Sequence, residues 1–321
     1  MTDRALRSGT PPPAGDAATP VPVLFLAGLG RSGTTLIERT LGEARGIHGL
    51  GEVMHLWERG IRRNELCACG VPFLQCPFWT RVGAAAFGGW AEVDVDRMAW
   101  LKARVDRARR IPAIASGARS LRAEVQEYVA AYALLYRAAH ELTGSILIDS
   151  SKQVSLAWCL ARSPDIDLRV LHCVRDSRGV AHSWAKSVRR PEAVGAEHQL
   201  MARLSSWEVS RSWIVHNAGI EPLGRSVPLL RLRYEDFVTD PVTSSDRALR
   251  FAGIDAGVGH IHRTTVMLQT THSCAGNPMR FRTGAIDLVP DVAWREHQDP
   301  AQRRAVTAFT APLLARYGYL R

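Results

Sequence analysis

Short apolar runs alternate with stretches of helical periodicity from about residue 21 to the end of the chain. Val23–Ala27, Ile146–Ile148, Leu168–Val174 and Val227–Leu232 are apolar at nearly every position. Strands covered on both faces read this way, because neither face meets water. A weaker run surrounds Ile47. Between the runs, a helix is expected to open near residue 34 and reach about Glu43, with Leu36, Ile37, Thr40 and Leu41 on one face. Ala91 to Leu142 reads as mostly helical. Within it Leu121, Val125, Tyr128, Val129, Tyr132, Leu135 and Tyr136 recur at three- and four-residue spacing, which makes those aromatics core. Further helices are predicted over Leu200–Ala218 and, after Pro300, over Ala301–Tyr317, with residues 255–298 irregular between them. Such alternation predicts an α/β fold, a central parallel sheet flanked by helices, with a helical insertion after the second strand.

The first 20 residues hold Arg4, Arg7 and the run Pro11-Pro12-Pro13 but no apolar core. They read as a disordered leader and not as a secretory signal. Residues 21–321 then form a single domain, in which residues 54–145 make a mainly helical, substrate-facing lobe. No apolar run approaches the roughly 18 residues of a membrane helix, so the expected location is the cytoplasm. Oligomeric state has no signature here, neither a heptad nor a self-complementary patch.

Charge changes the picture only a little. The net charge is +10 and the cations are almost all arginine, lysine occurring only at Lys102, Lys152 and Lys186. A basic surface suits nucleic acid, an anionic membrane or a polyanionic small ligand. The plain reading is compositional, a bias against lysine, and no basic run interleaved with aromatics supports nucleic acid.

Of the cysteines, only Cys67, Cys69 and Cys76 cluster in sequence. Their simplest reading is a tight Gly/Pro-bent segment with buried thiols. A structural metal is the alternative, with His55 the nearest fourth ligand by sequence; a local disulfide does not suit a reducing compartment.

The candidate chemistry begins at Gly28-Leu-Gly-Arg-Ser-Gly-Thr-Thr35. A Walker loop needs Gly-x-x-x-x-Gly-Lys-Ser/Thr, whose lysine reaches the β- and γ-phosphates. Gly28 and Gly33 keep that spacing, but Thr34 replaces the lysine and the cation is Arg31, inside the loop. Backbone N–H groups and the following helix can still cradle a phosphate. Three more segments follow strands: Gly49-Leu-Gly-Glu52, Asp149-Ser-Ser-Lys152 and Val174-Arg-Asp-Ser-Arg-Gly-Val-Ala-His-Ser183. Ligands in open parallel sheets sit beyond the carboxyl ends of strands, so the four should converge.

Together these motifs resemble the sulfotransferases that use 3′-phosphoadenosine 5′-phosphosulfate, most closely the bacterial and tyrosylprotein branches. Arg31-Ser32-Gly33-Thr34-Thr35 is similar to their 5′-phosphosulfate loop, and Arg175 to Ser183 to their 3′-phosphate motif. Arg233-Tyr234-Glu-Asp-Phe resembles the segment after their late strand, and residues 276–284, with Arg280 and Arg282, their C-terminal nucleotide loop. Trp294 is expected to buttress that loop. The resemblance implies a P-loop-like fold and 3′-phosphoadenosine 5′-phosphosulfate as cosubstrate, with no metal required. It makes Glu52 the base and Lys152 the contact to the transferring group. Arg31, Ser32, Gly33, Thr34, Thr35, Arg175, Ser183, Tyr234, Arg280 and Arg282 would form the nucleotide site. His48 and His55 are rival bases, since the catalytic histidine of the vertebrate cytosolic branch has no clear match here. A small-molecule, carbohydrate or lipid acceptor is expected.

Two other functions fit less well. A P-loop kinase using ATP and Mg2+ could take Asp149 as a metal-holding carboxylate, but lacks the loop lysine. A non-catalytic anion- or nucleic-acid-binding protein would use only the charge.

Overall fold

In the computed structural model, residues 19–189, 200 and 203–320 are described. The predicted leader lies almost wholly outside them, as do residues 201 and 202 of the helix expected from Leu200. No helix among the described residues is long and apolar enough to cross a membrane.

Five parallel strands form the central sheet: β1 (Val21–Ala27), β2 (Ile47–Gly51), β3 (Ile146–Lys152), β4 (Ile166–Val174) and β5 (Leu229–Arg233), in spatial order β2-β3-β1-β4-β5. Central β1 is buried along nearly its whole length, which is why its residues are apolar in succession. Its register runs from Val21↔Ile166 to Ala27↔His172 against β4, and through a bulge to Ala27↔Lys152 against β3.

Helix α1 (Thr34–Leu41) leaves the loop after β1. The predicted insertion follows β2. A π-helical segment at Leu56–Arg62 leads to α2 (Pro77–Phe87), α3 (Val95–Val105), α4 (Ile111–Ala115) and α5 (Arg119–Thr143). The stretch from Ala91 to Leu142 is mostly helical as expected, divided into α3, α4 and α5, with Pro112 in the first turn of α4 and Gly117 at a positive φ of 66° before α5. In α5 the predicted core residues are buried, and Tyr128, Tyr132 and Tyr136 pack side by side under the sheet.

Beyond β3 come α6 (Val154–Leu160), then α7 (Ser177–Ala185) after β4, and α8 (Ser206–Ile220). Helix α8 starts later than expected because Ser205 caps it and Glu208 bonds back, a reciprocal box that satisfies the first turn. Short helices α9 (Tyr234–Thr239) and α10 (Pro241–Ala252) follow β5 and were not anticipated. Residues 255–298 are not wholly irregular. They hold an antiparallel sheet of β6 (Ile261–His262), β7 (Thr265–Leu268) and β8 (Gly284–Asp287), strands too short to show an alternation. Helices α11 (Trp294–His297) and α12 (Pro300–Arg316) end the chain. One core lies between the sheet and the insertion, a second under α1, α9, α10 and the small sheet, and a third among α7, α8 and α12.

Candidate active site

All five strands of the main sheet end at one cavity of about 380 Å³. Arg31, Gly33, Thr34 and Thr35 follow β1; Glu52 is the residue after β2; Lys152 is the last of β3; Arg175 follows β4; Tyr234 follows β5. Ser183 reaches the same cavity from α7. A parallel sheet makes this convergence possible, since its strands all point their carboxyl ends the same way.

The loop after β1 is held by close approach. A Cβ on Gly28, where φ is 151°, would sit 2.4 Å from the carbonyl oxygen of Cys173, so β4 permits no side chain there. Gly33 caps α1 at φ 81°, with the Tyr234 ring against it. Arg31 itself has φ 74°, a left-handed conformation that costs a non-glycine residue energy. Trp184 flanks the loop, donating from Nε1 to the Gly30 carbonyl at 3.0 Å while the Arg31 guanidinium lies 5.5 Å from its ring centre. Ser32 is buried beneath the loop, and its amide closes the turn on Leu29 at 3.2 Å. A bound anion would therefore rely on the first N–H groups of α1, which have no partner within the helix.

Opposite the loop, Lys152 Nζ donates to Glu52 Oε1. Lys152 also takes a left-handed backbone, φ 69°, beside the bulge between β1 and β3. Bulges of this kind re-aim side chains next to sites. His55 Nε2 lies 3.5 Å from Glu52 Oε2. Burial alone would raise the Glu52 carboxyl, but Lys152, His55 and Arg59 hold it below the ordinary carboxylate range. Burial pushes the His55 imidazole down, against the pull of Glu52 and with the help of Lys102, Arg59 and Lys152. The carboxylate is thus the ionised partner at neutral pH and the imidazole is neutral.

Arg175 is a second cationic pole. Its guanidinium donates to the Arg31 carbonyl at 3.0 Å, pairs with Asp291 at 2.9 Å and stacks 4.5 Å from the centre of the Tyr234 ring. Arginine suits such a position, because its planar fork can hold an anion bidentately while resting on an aromatic face.

Other expected residues lie elsewhere. Arg280 is buried away from the cavity, giving its guanidinium to the carbonyls of Ser273 and Leu66, both at 2.8 Å. Arg282 is exposed, and its carbonyl accepts from Arg39 at 3.0 Å. From residues 276–284 it is instead Gly276, Asn277 and Met279 that line the cavity. His48 packs on Phe78, away from the site. Asp149 points into the core, accepting from the Tyr136 hydroxyl at 2.5 Å and the Ser151 amide at 2.7 Å. Trp294, expected to buttress the 276–284 loop, packs on Gly179 of α7 and under the Arg178 guanidinium.

Sequence reasoning missed Arg59 and Trp184, both cavity-lining. Arg59 sits on the π-helical turn, which has no periodic signature. It missed Glu38 too. This buried α1 carboxylate accepts from the Gly51 amide and the Ser150 hydroxyl, both at 2.6 Å, tying α1 to the ends of β2 and β3. Burial raises it to about 7, the Ser150 and Gly51 hydrogen bonds opposing.

A glycine-rich loop opening α1 at the carboxyl edge of a parallel sheet, with cations facing it from two other strand ends, defines an α/β protein with a cationic cavity at that edge. A sequence profile of the sulfotransferase family matches residues 22–257, and the chain belongs to that family. Among solved structures, the sulfotransferase domain from the Synechococcus PCC 7002 olefin synthase is 21% identical over 95% of this chain and 97% of its own, with a TM-score of 0.52. At that identity the likeness is one of fold. The sulfotransferase domain from the curacin biosynthetic pathway aligns over 92% of this chain and 99% of its own at 14% identity and a TM-score of 0.47. A sulfotransferase from Alicyclobacillus acidocaldarius aligns over 94% of each chain at 16% identity and a TM-score of 0.42. No curated protein matches the sequence.

Proposed function

We propose that the protein transfers a sulfuryl group from 3′-phosphoadenosine 5′-phosphosulfate to a hydroxyl of a small-molecule, carbohydrate or lipid acceptor. The observation that carries this reading is the meeting of Arg31, Lys152, Arg175 and a single carboxylate, Glu52, in one cavity behind a lysine-less phosphate loop. Arg31 and the first amides of α1 would hold the 5′-phosphosulfate, and Arg175 and Ser183 the 3′-phosphate, with Gly33, Thr34, Thr35 and Tyr234 shaping the nucleotide side.

In the reaction, the acceptor oxygen attacks sulfur in line. A new S–O bond forms as the bond to the 5′-phosphate oxygen breaks, and Glu52 takes the acceptor proton. Adenosine 3′,5′-bisphosphate leaves. As in phosphoryl transfer, the protein acts mainly by positioning and charge stabilisation. Lys152 changes role on the way. Paired with Glu52 it keeps that carboxylate ionised; drawn to the sulfuryl or departing phosphate oxygens, it leaves Glu52 a stronger base at the moment a proton must be taken.

A kinase reading has less support. Among the described residues Glu52 is the only carboxylate lining the cavity, and Asp149, which a kinase would need for Mg2+, instead accepts from the Tyr136 hydroxyl. Calorimetry tests the proposal directly, comparing adenosine 3′,5′-bisphosphate without metal against ATP with Mg2+. Metal-free bisphosphate binding that Arg175→Ala removes is the expected result. Binding of ATP with Mg2+ alone would sink the reading.

A further inference from the structure

The three clustered cysteines meet a histidine from the far end of the chain. The ligand atoms of Cys67, Cys69, Cys76 and His272 all lie within 4.8 Å of one another. Cys69 Sγ is 3.7 Å from Cys76 Sγ, and Cys76 Sγ is 3.2 Å from His272 Nδ1. A disulfide needs sulfurs about 2.05 Å apart, and all the cysteines are free thiols. Around a tetrahedral Zn2+, with Zn–S near 2.3 Å and Zn–N near 2.0–2.1 Å, neighbouring sulfurs stand about 3.8 Å apart and sulfur and nitrogen about 3.5 Å. The 3.7 Å and 3.2 Å separations lie within a few tenths of an ångström of those values, and the other pairs lie within 4.8 Å.

Local backbone supports the same chemistry. Cys67-Ala-Cys69-Gly70 forms a tight knuckle: the Cys67 amide donates to the Val71 carbonyl at 2.8 Å, the Gly70 amide returns to Cys67 at 2.9 Å, and Gly70 has φ 87°. Cys76 caps the N-terminus of α2, where the helix dipole favours a thiolate. His272 is oriented from both sides. Its ring stacks on Phe78, centroids 5.4 Å apart and planes 15° from parallel, and its carbonyl accepts from Trp79 Nε1 at 2.6 Å.

We propose that Cys67, Cys69, Cys76 and His272 bind one structural Zn2+. His55, the nearest histidine in sequence, is not the fourth ligand, since it lies at Glu52 in the cavity. Four protein ligands leave no open position for a substrate, as in structural and not catalytic zinc sites. On binding, the three thiols release their protons to solvent as Zn–S bonds form, and no redox step is involved.

The ion would join two segments far apart in sequence at a useful place. The Ala68 amide already donates to Ser273 at 3.1 Å; Cys274 donates to Leu50 at 2.9 Å and Glu52 to Ala275 at 3.2 Å. Residues 272–277 thus run from the metal ligand past the proposed base to Gly276 and Asn277 on the cavity wall. The zinc would fix the insertion to that wall. This proposal does not depend on which donor the cavity binds.

The experiment is elemental analysis of the full-length chain purified under reducing conditions from zinc-supplemented growth, with Co2+ replacement followed by absorption. About one zinc per chain is expected, with the thiolate charge-transfer and intense visible bands of tetrahedral cobalt after exchange. His272→Ala and Cys76→Ser should lose the ion, whereas His55→Gln should keep it. Wild-type protein without zinc and without those cobalt bands would overturn the proposal even if the variants fail to fold. Zinc lost from His55→Gln but retained by His272→Ala would overturn the ligand set.

Discussion

Lys152→Met removes one charge of the cavity while keeping the length of the side chain. Lys152 and Glu52 are hydrogen-bonded with side chains only 12% and 14% exposed. Deleting one partner of a buried pair costs roughly 3–5 kcal/mol, because the remaining charge stays buried without its counter-ion. Arg59 and His55 still act on Glu52, so the lower end, about 3 kcal/mol, is expected. Total stabilities are about 5–15 kcal/mol, so the loss would be plain in a urea midpoint. The pH dependence is the sharper test. In the wild type Glu52 lies below its ordinary value of 4.5, so its contribution is present above that value and lost as pH falls through the folded one. Without Lys152, burial, the largest single influence, is opposed by His55 and Arg59, and a folded pKa above 4.5 is the expected outcome. The native state then holds the proton more tightly than the unfolded chain, and stability falls as pH rises through that window. Urea unfolding of wild type, Lys152→Met, Glu52→Gln and the double variant, from about pH 5 to about pH 8, closes the cycle. The reasoning fails if Lys152→Met costs as much in the Glu52→Gln background, or if it makes stability no steeper in pH than in the wild type.

Glu38 gives the wild type a falling slope of its own. Held at about 7 against an ordinary 4.5, it should lower stability by about 3 kcal/mol at most as pH rises between those values, at roughly 1.4 kcal/mol per unit. Thermal unfolding of Glu38→Gln should lose most of that slope, with Asp149, raised to about 6 by burial, leaving a smaller one. Gly33→Ala places a Cβ 2.4 Å from the Tyr234 ring at φ 81°. It should cost roughly 1–3 kcal/mol in strain and weaken bisphosphate binding in calorimetry, and Tyr234→Ala should not fully rescue it because the φ remains. Glu52→Gln should lower kcat about 10²–10⁴-fold with bisphosphate affinity kept, while His55→Gln has a much smaller effect. The opposite order in steady-state assays would move the base to His55.

Much of the main sheet was legible because buried strands must be apolar in succession. That is why Val23–Ala27 and Leu168–Val174 lie within β1 and β4. The helical insertion was legible in outline from the repeat at Leu121 to Tyr136, whereas its division at Pro112 and Gly117 into separate helices was not read. The small sheet was not legible: β6, β7 and β8 have 2, 4 and 4 residues, below the length at which alternation can be seen. The loop motif marked Arg31, Gly33, Thr34 and Thr35 because close backbone approach to a phosphate demands small residues and a glycine at the turn. Position after a strand marked Glu52, Lys152 and Arg175, while Tyr234 was marked only by the resemblance of residues 233–237.

Pairing was another matter. Nothing local says that Lys152 meets Glu52, that Arg175 rests on Tyr234 beside Asp291, or that Glu38 turns inward beneath the loop. Arg280 and Arg282 carry the right charge in the right motif, yet the backbone carries one into the interior and the other to the surface. The three cysteines looked like a bent segment of buried thiols because their histidine partner is 196 residues beyond Cys76. Local sequence by itself determined which residues could form strands, turns and a phosphate-sized loop, since steric and hydrophobic constraints act over a few positions. Only the tertiary structure decided which charges face one another and which groups share a cage, because those depend on strand order and on contacts between distant segments.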